Sequence, residues 1–87
     1  MNRKQRKTKK PRRRPFLKVH RALGGRIRRL REKKGWDLES FARLCKISHG
    51  QMEKIERGEK QKLTFSMLAN LARNLGVSVW RLFEGIA

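Results

Sequence analysis

The chain has 87 residues, which gives room for one small domain and excludes two domains with a ligand pocket between them. Its 25 lysines and arginines outnumber 7 acidic residues, and a net charge of +18 favours polyanionic partners such as nucleic acid. No apolar run reaches the length of a membrane span and no secretory signal is evident, so we expect a cytoplasmic protein, nucleoid-associated if bacterial.

Residue types that carry catalysis or metal binding are sparse. Cys45 is the single cysteine, which excludes an internal disulfide, and His20 and His49 are too far apart for zinc-ligand spacing. No Ser/His/Asp, Cys/His or paired-carboxylate set is evident. We therefore expect no enzymatic activity, no metal and no cofactor.

Composition divides the chain near residue 21. Residues 1–21 hold eleven Lys or Arg residues and no acid, and Pro11 and Pro15 interrupt any helix. Such a segment buries too little apolar surface to order itself, so it is predicted to be a disordered basic arm. Residues 22–87 have periodic apolar positions and are predicted to be the folded domain.

Helix 1 is predicted from about Gly24 to Lys34, and Gly35 ends it. Its inward positions are Leu23, Ile27 and Leu30, and its outward positions are Arg26, Arg28, Arg29 and Lys33. This amphipathic pattern predicts one face against a core.

Helix 2 is predicted to begin at Asp37, a favourable N-cap residue. Its apolar stripe consists of Leu38, Phe41, Ala42 and Cys45. Cys45 is therefore predicted to lie in the core. The alternative, a reactive thiol, requires an exposed and electropositive site.

Helix 3 is predicted to begin at Ser48, which forms a capping box with Gln51. Only Met52 and Ile55 face inward, so most of this helix is exposed and suited to lying against a partner. Residues 41–58 thus form two short helices joined by a tight turn, the pattern of a helix-turn-helix that reads the DNA major groove.

Two more helices complete an all-α pattern without useful β-strands. Thr64 caps helix 4 and Gly76 ends it; the apolar stripe is Phe65, Leu68, Leu71, Ala72 and Leu75. Ser78 caps a short helix 5, whose apolar positions are Val79, Leu82, Phe83 and Ile86.

Residues 23–85 resemble the Cro/repressor type of helix-turn-helix domain, the XRE family. The resemblance rests on Ile27-Arg28-x-Leu30-Arg31 before Gly35, then Phe41-Ala42, Ile47-Ser48, Ile55-Glu56-Arg57-Gly58, and Ala72-x-x-Leu75-Gly76-Val77-Ser78 with Leu82-Phe83. It implies a compact five-helix, lambda-repressor-like domain that binds double-stranded DNA.

The resemblance also implies an ion pair between Arg31 of helix 1 and Glu56 of helix 3. The pair is physically reasonable because an acid on a DNA-facing helix repels phosphate unless it is neutralised. The alternative is two independent solvated charges.

In this family the base-reading residues lie at the start of helix 3 and one turn later. The matching positions are His49, Gly50, Gln51 and Lys54. His49 and Gln51 can donate to and accept from base edges, Lys54 can donate to guanine, and Gly50 reads nothing. Alternatively, the Gln51 side chain is used in the capping box and His49 is merely exposed.

Phosphate contacts are expected from helix N-termini and nearby cations. The predicted set is Arg43, Lys46, Ser48, Arg57, Lys60 and Lys62. Two positions depart from the family: Leu38 replaces a Gln that contacts phosphate, and Lys46 replaces the usual Gly of the turn. Lys46 must then adopt a left-handed conformation, at a cost of about 1 kcal/mol, unless the turn differs.

Partners are suggested at both ends of the domain. Arg12, Arg13 and Arg14 of the arm can enter a minor groove, or the arm can be a non-specific tether for any polyanion, RNA included. Trp80 and Phe83 of helix 5 are candidate homodimer contacts; alternatively, Trp80 covers its own core.

The first functional hypothesis is a sequence-specific DNA-binding regulator that acts as a small repressor. The alternative is a co-regulator or antitoxin-like module that binds a protein partner through the fold and nucleic acid non-specifically through the arm. A third hypothesis is RNA binding through the arm.

Overall fold

The computed structural model describes the backbone of residues 9–59 and 62–86, and side chains from residue 18 onward within those ranges. The described residues form helices and connecting turns, with no strand among them. The helices are α1 (Lys9–Lys33), α2 (Leu38–Cys45), α3 (His49–Arg57), α4 (Phe65–Leu75) and α5 (Val79–Phe83). The predicted all-α, five-helix fold class is confirmed.

The starts of helices α2 to α5 are fixed by the predicted N-cap residues. The Asp37 carboxylate accepts from the backbone N–H of Ser40 at 2.7 Å, and this bond holds the pKa of Asp37 below its ordinary value. Ser48, Thr64 and Ser78 cap α3, α4 and α5 in the same way, each through a 3.2 Å bond to the N–H three residues later. Each bond satisfies a donor that has no acceptor within its helix.

A single core lies between the helices. The apolar side chains buried in it are Leu23, Ile27, Phe41, Ala42, Cys45, Met52, Ile55, Leu71, Ala72, Leu75 and Leu82. Cys45 is therefore a core residue, and burial raises the pKa of its thiol to about 11. A thiol that stays protonated at neutral pH is a poor nucleophile, so the reactive-thiol alternative is not favoured.

Helix 1 begins much earlier than predicted. We expected its start near Gly24, but α1 begins at Lys9, so residues 9–21 of the predicted arm lie within it, while residues 1–8 lie outside the described residues. Pro11 falls in the first turn, where a backbone N–H has no helical acceptor. Further along, the backbone of Arg21 packs against Gly58, which favours the helical conformation before Gly24.

Two side chains lie elsewhere than their helical pattern predicts. Phe65 was expected to face inward but is 72% exposed, because it begins α4 beyond the edge of the core, where Leu63 and Met67 pack instead. Arg26 was expected to face outward into solvent, but its guanidinium donates to the carbonyl oxygens of Arg81 at 2.6 Å and Glu84 at 2.5 Å. It therefore ties α1 to the end of α5.

Candidate nucleic-acid interface

Three residues connect α2 to α3 in a tight turn. Lys46 adopts the left-handed conformation with φ 60° and ψ 41°, as the sequence required. The N–H of Lys46 donates to the carbonyl of Arg43 at 3.1 Å, and the N–H of Ile47 donates to that of Ala42 at 2.9 Å. These bonds end α2 and direct the chain into α3.

The inner face of α3 packs closely against α1. Met52 and Ile55 are fully buried, and α1 crosses above them at Gly24. A Cβ atom at Gly24 would lie 2.4 Å from the Ile55 carbonyl oxygen and 2.6 Å from that of Glu56. Only glycine allows the two backbones to approach this closely, so the crossing fixes α3 against the scaffold.

Arg31 and Glu56 form a bidentate ion pair beside this crossing. Arg31 Nε lies 2.7 Å from Glu56 Oε2, and Arg31 Nη2 lies 2.9 Å from Glu56 Oε1. Arg31 also donates to the Trp36 carbonyl at 2.8 Å and is only 8% exposed. The bond to Glu56 raises the pKa of Arg31 despite burial, and the pair neutralises the acid on α3.

The outer face of α3 has a different character. His49, Gly50, Gln51 and Lys54 are all exposed. Ser48 provides its half of the capping box, but among the described residues the Gln51 side chain has no hydrogen-bond partner. A Cβ atom at Gly50 would meet nothing within 4 Å, so packing within the protein does not require glycine there.

The candidate phosphate-binding cations fall into two groups. Arg43 pairs with Glu39 at 3.4 Å, and Arg57 pairs with Glu53 at 3.3 Å and Glu59 at 3.6 Å, all as exposed pairs. Lys46 and Lys62 are exposed, and within the described part of the chain neither has an ion pair. Lys60 and the side chains of Arg12, Arg13 and Arg14 lie outside the described residues.

Leu38 stands at the position where the family resemblance implies a Gln that contacts phosphate. Its side chain is half-buried against the core, beside a shallow depression lined by Arg28, Glu53 and Arg57. An apolar side chain cannot accept from or donate to a phosphate or a neighbouring reader.

An asparagine pair that was not predicted from the sequence supports the turn. Asn70 of α4 donates through Nδ2 to the Cys45 carbonyl at 2.7 Å, and Asn74 donates to Asn70. Asparagine is unfavourable inside helices, so two of them four residues apart in an apolar helix were an available signal of side-chain bonding.

At the opposite end of the domain, α5 presents an aromatic side chain to solvent. Trp80 is 76% exposed, whereas Phe83 is half-buried and packs against the core. This exposure agrees with the position of Trp80 one residue away from the inward stripe, and it does not favour the alternative that Trp80 covers its own core. Phe83 contributes mainly to the fold of this chain.

The described residues contain neither a membrane-spanning helix nor a metal-binding cluster. No helix among them is long and apolar enough to cross a membrane. Nor do three or more His, Cys, Asp or Glu residues converge there as a metal-binding group would require.

Comparison with known proteins identifies the domain. The helix-turn-helix domain family matches residues 22–81. Two crystal structures of the clp gene regulator ClgR from Corynebacterium glutamicum are similar, each 32% identical over 76% of this chain. One covers 69% of the ClgR chain with a TM-score of 0.71, and the other covers 83% with a TM-score of 0.72. No curated protein matches. The chain belongs to the helix-turn-helix domain family and is a DNA-binding transcriptional regulator.

Proposed function

We propose that this regulator is a small sequence-specific repressor that inserts α3 into the major groove and occupies an operator. The observation that carries the proposal is the division of α3 into two faces. One face is buried and its acid is neutralised by Arg31. The other exposes His49, Gln51 and Lys54, whose side chains make no hydrogen bond or ion pair with the residues that the structure describes. The exposed donors and acceptors of such a helix can hydrogen-bond to base edges in the major groove.

Base reading is assigned to three side chains of the outer face. Lys54 donates to guanine O6 or N7, and His49 and Gln51 donate to or accept from neighbouring edges. Gln51 is available because its side chain is not engaged by the cap within the described residues. Each good contact should discriminate by about 1 to 3 kcal/mol, so a few contacts suffice for a defined operator.

Gly50 contributes by having no side chain. The space around its missing Cβ is open within the protein, so the glycine is not a requirement of the fold. We assign it to the interface, where it lets the first turn of α3 approach the DNA. This assignment explains why a residue that weakens a helix by about 1 kcal/mol stands in the first turn of α3.

We assign phosphate contacts to the backbone N–H of Ser48, at the N-terminus of α3, and to the cations around it. Lys46 and Lys62 are exposed, and neither has an ion-pair partner among the described residues that it would have to leave. Arg43 and Arg57 must exchange their glutamates for phosphate, but exposed ion pairs contribute only about 0 to 1 kcal/mol, so the exchange costs little. The positive charges of Lys60 and of the arm arginines further attract the same DNA.

A homodimer through α5 is part of the proposal. The exposed Trp80 supplies an apolar contact, and two-fold symmetry would place two recognition helices on half-sites about 34 Å apart. A bound dimer would exclude polymerase from the promoter. Control would then come from protein abundance or from a protein partner.

Selection of bound sequences from a random DNA pool at about 150 mM salt tests this function. We expect enrichment of a palindromic site, which would establish both specificity and dimerisation. Salt should matter, because neutralising six to ten phosphates reduces affinity by roughly 10³ to 10⁵ between 50 and 200 mM. If no sequence is enriched, the repressor assignment is wrong and the non-specific co-regulator module takes its place.

RNA binding through the arm is an outcome of a second experiment. Deleting residues 1–17 leaves the Arg21–Gly58 contact intact, whereas deletion through residue 21 would cut into it. The repressor proposal predicts that the shorter deletion weakens binding to all DNA sequences and leaves the selected site preferred. Complete loss of DNA binding, with RNA bound only by the full chain, would favour the arm as the functional element.

A further inference from the structure

The carbonyl oxygen of Cys45 is held from α4. Cys45 is the last residue of α2, and its carbonyl is among those that no helical N–H can reach. Asn70 Nδ2 donates to it at 2.7 Å, in a partly buried position. The end of α2 is therefore attached to a helix other than α3.

A second asparagine fixes the orientation of the first. Asn74 Nδ2 lies 2.9 Å from Asn70 Oδ1 and 2.9 Å from the Asn70 carbonyl. Because the amide oxygen of Asn70 accepts from Asn74, its NH₂ group must face Cys45, where only a donor is useful. The hydrogen bonds thus run in one direction, from Asn74 through Asn70 to the Cys45 carbonyl.

Lys46, which follows Cys45, adopts a strained backbone conformation. Lys46 is the single non-glycine residue with a positive φ in the described part of the chain. That conformation is unfavourable for a residue with a Cβ, and the stabilisation from one neutral, partly buried hydrogen bond is of comparable size. The Asn70 bond is placed where it can offset the strain.

We infer that Asn70, oriented by Asn74, is a positioning residue for DNA binding. It holds the α2–α3 turn with Lys46 in the left-handed conformation, and so sets the direction in which α3 leaves α2. The consequence for DNA rests on the proposed placement of α3 in the major groove. The consequence for the turn does not.

Native-state hydrogen exchange in Asn70→Ala tests the turn without DNA. We expect the amides of Lys46 and Ile47, which close the turn, to exchange roughly fivefold to tenfold faster, while the Trp36 amide in the α1–α2 connection changes much less. Helix propensity alone predicts the opposite sign, because alanine is the better helix former. Ser66→Ala on the exposed surface of α4 is the matched control and should leave the turn unchanged.

The double variant Asn70→Ala/Lys46→Gly separates the turn from the Lys46 cation. Glycine adopts the left-handed conformation without strain, so exchange at residues 46 and 47 should return to within about twofold of the wild-type rate. Affinity for the selected DNA should fall roughly fivefold in Asn70→Ala and should not recover fully in the double variant, which lacks the cation.

Unchanged turn exchange in Asn70→Ala would overturn the inference, as would equal acceleration across the whole domain. Accelerated turn exchange that Lys46→Gly fails to reverse would also overturn it, because the turn would then not depend on Lys46. Failure of the proposed function has a different signature. In that case no DNA sequence is preferred by the wild type, while the exchange rates still respond as expected.

Discussion

The two faces of α3 show how a short helix can be rigid and still available to a partner. The inner face is fully engaged within the protein. Met52 and Ile55 are buried, and Glu56 is paired with Arg31. Gly24 of α1 lets the backbones of α1 and α3 approach each other closely. The outer face exposes His49, Gln51 and Lys54, whose side chains make no bond to any other described residue. Stability therefore belongs to the inner side of the helix, and the outer side is the proposed recognition surface.

Two glycines show the same contrast, one in α1 against the inner face of α3 and one on its outer face. A Cβ at Gly24 collides with carbonyl oxygens of α3, whereas a Cβ at Gly50 meets nothing within 4 Å. The first glycine is required by the fold. Packing among the described residues does not require the second to be glycine. A loss of DNA affinity on replacing Gly50 would therefore come from its contact with the DNA.

The largest effect is expected from Gly24→Ala. The added Cβ meets backbone atoms that cannot rotate away, so the free energy of unfolding should fall by more than about 3 kcal/mol. Gly25→Ala is the matched control, because its nearest contact is a flexible arginine tip at 3.8 Å. It should gain up to about 1 kcal/mol from helix propensity. Urea unfolding of both variants measures the difference; similar stabilities would contradict the close crossing.

Removal of the buried ion pair should have the next largest effect. Arg31→Ala leaves Glu56 without its partner in a largely buried position, and we expect a loss of about 2 to 3 kcal/mol in unfolding free energy. Arg28→Ala breaks an exposed ion pair of the same helix with Glu32 and should cost less than about 0.5 kcal/mol. Equal losses in the two variants would show that the Arg31–Glu56 pair is not buried in solution.

Gly50→Ala should separate binding from stability. Because alanine favours the helix and has open space, unfolding free energy should stay unchanged or rise by up to about 1 kcal/mol. Binding to the selected DNA should weaken, since the methyl group enters the proposed contact surface. Fluorescence anisotropy alongside urea unfolding measures both. An undiminished affinity would remove Gly50 from the interface.

The smallest effect on the free energy of unfolding is expected from ionisation of the buried Cys45 thiol. Burial raises the pKa of Cys45 to about 11, whereas an unfolded thiol ionises near 8.5, so the folded state holds the proton more tightly. Stability is then complete below about pH 8 and declines as the pH rises, by about 1 kcal/mol at pH 9. Unfolding of the wild type and Cys45→Ala between pH 7.5 and 9.5 should show a steeper decline for the wild type. Parallel curves would contradict a buried thiol.

The sequence predicted most of the scaffold because its signals are local. Asp37, Ser48, Thr64 and Ser78 mark helix starts by chemistry that acts over three residues, and all four are caps in the structure. The helical turn just before Gly24 was missed because its support comes from elsewhere in the chain, where the backbone of Arg21 meets Gly58.

Features that depend on packing between distant helices were not predictable from periodicity. Phe65 fits the apolar stripe of α4, yet the core ends before reaching it. Arg26 fits an outward position, yet the carbonyls at the end of α5 lie within reach. The Asn70 bond to the turn has the same origin, since only the fold brings α4 to the end of α2.

The triple variant His49→Ala/Gln51→Ala/Lys54→Ala tests most directly whether recognition is confined to the outer face of α3. The measurement is the ratio of affinities for the selected and a scrambled DNA site at about 150 mM salt, together with urea unfolding. We expect an affinity ratio near one, residual binding through phosphate contacts, and an unfolding free energy within about 1 kcal/mol of the wild type. A variant that keeps the wild-type ratio, or that loses it only by unfolding, would contradict the division of α3 into a structural and a reading face.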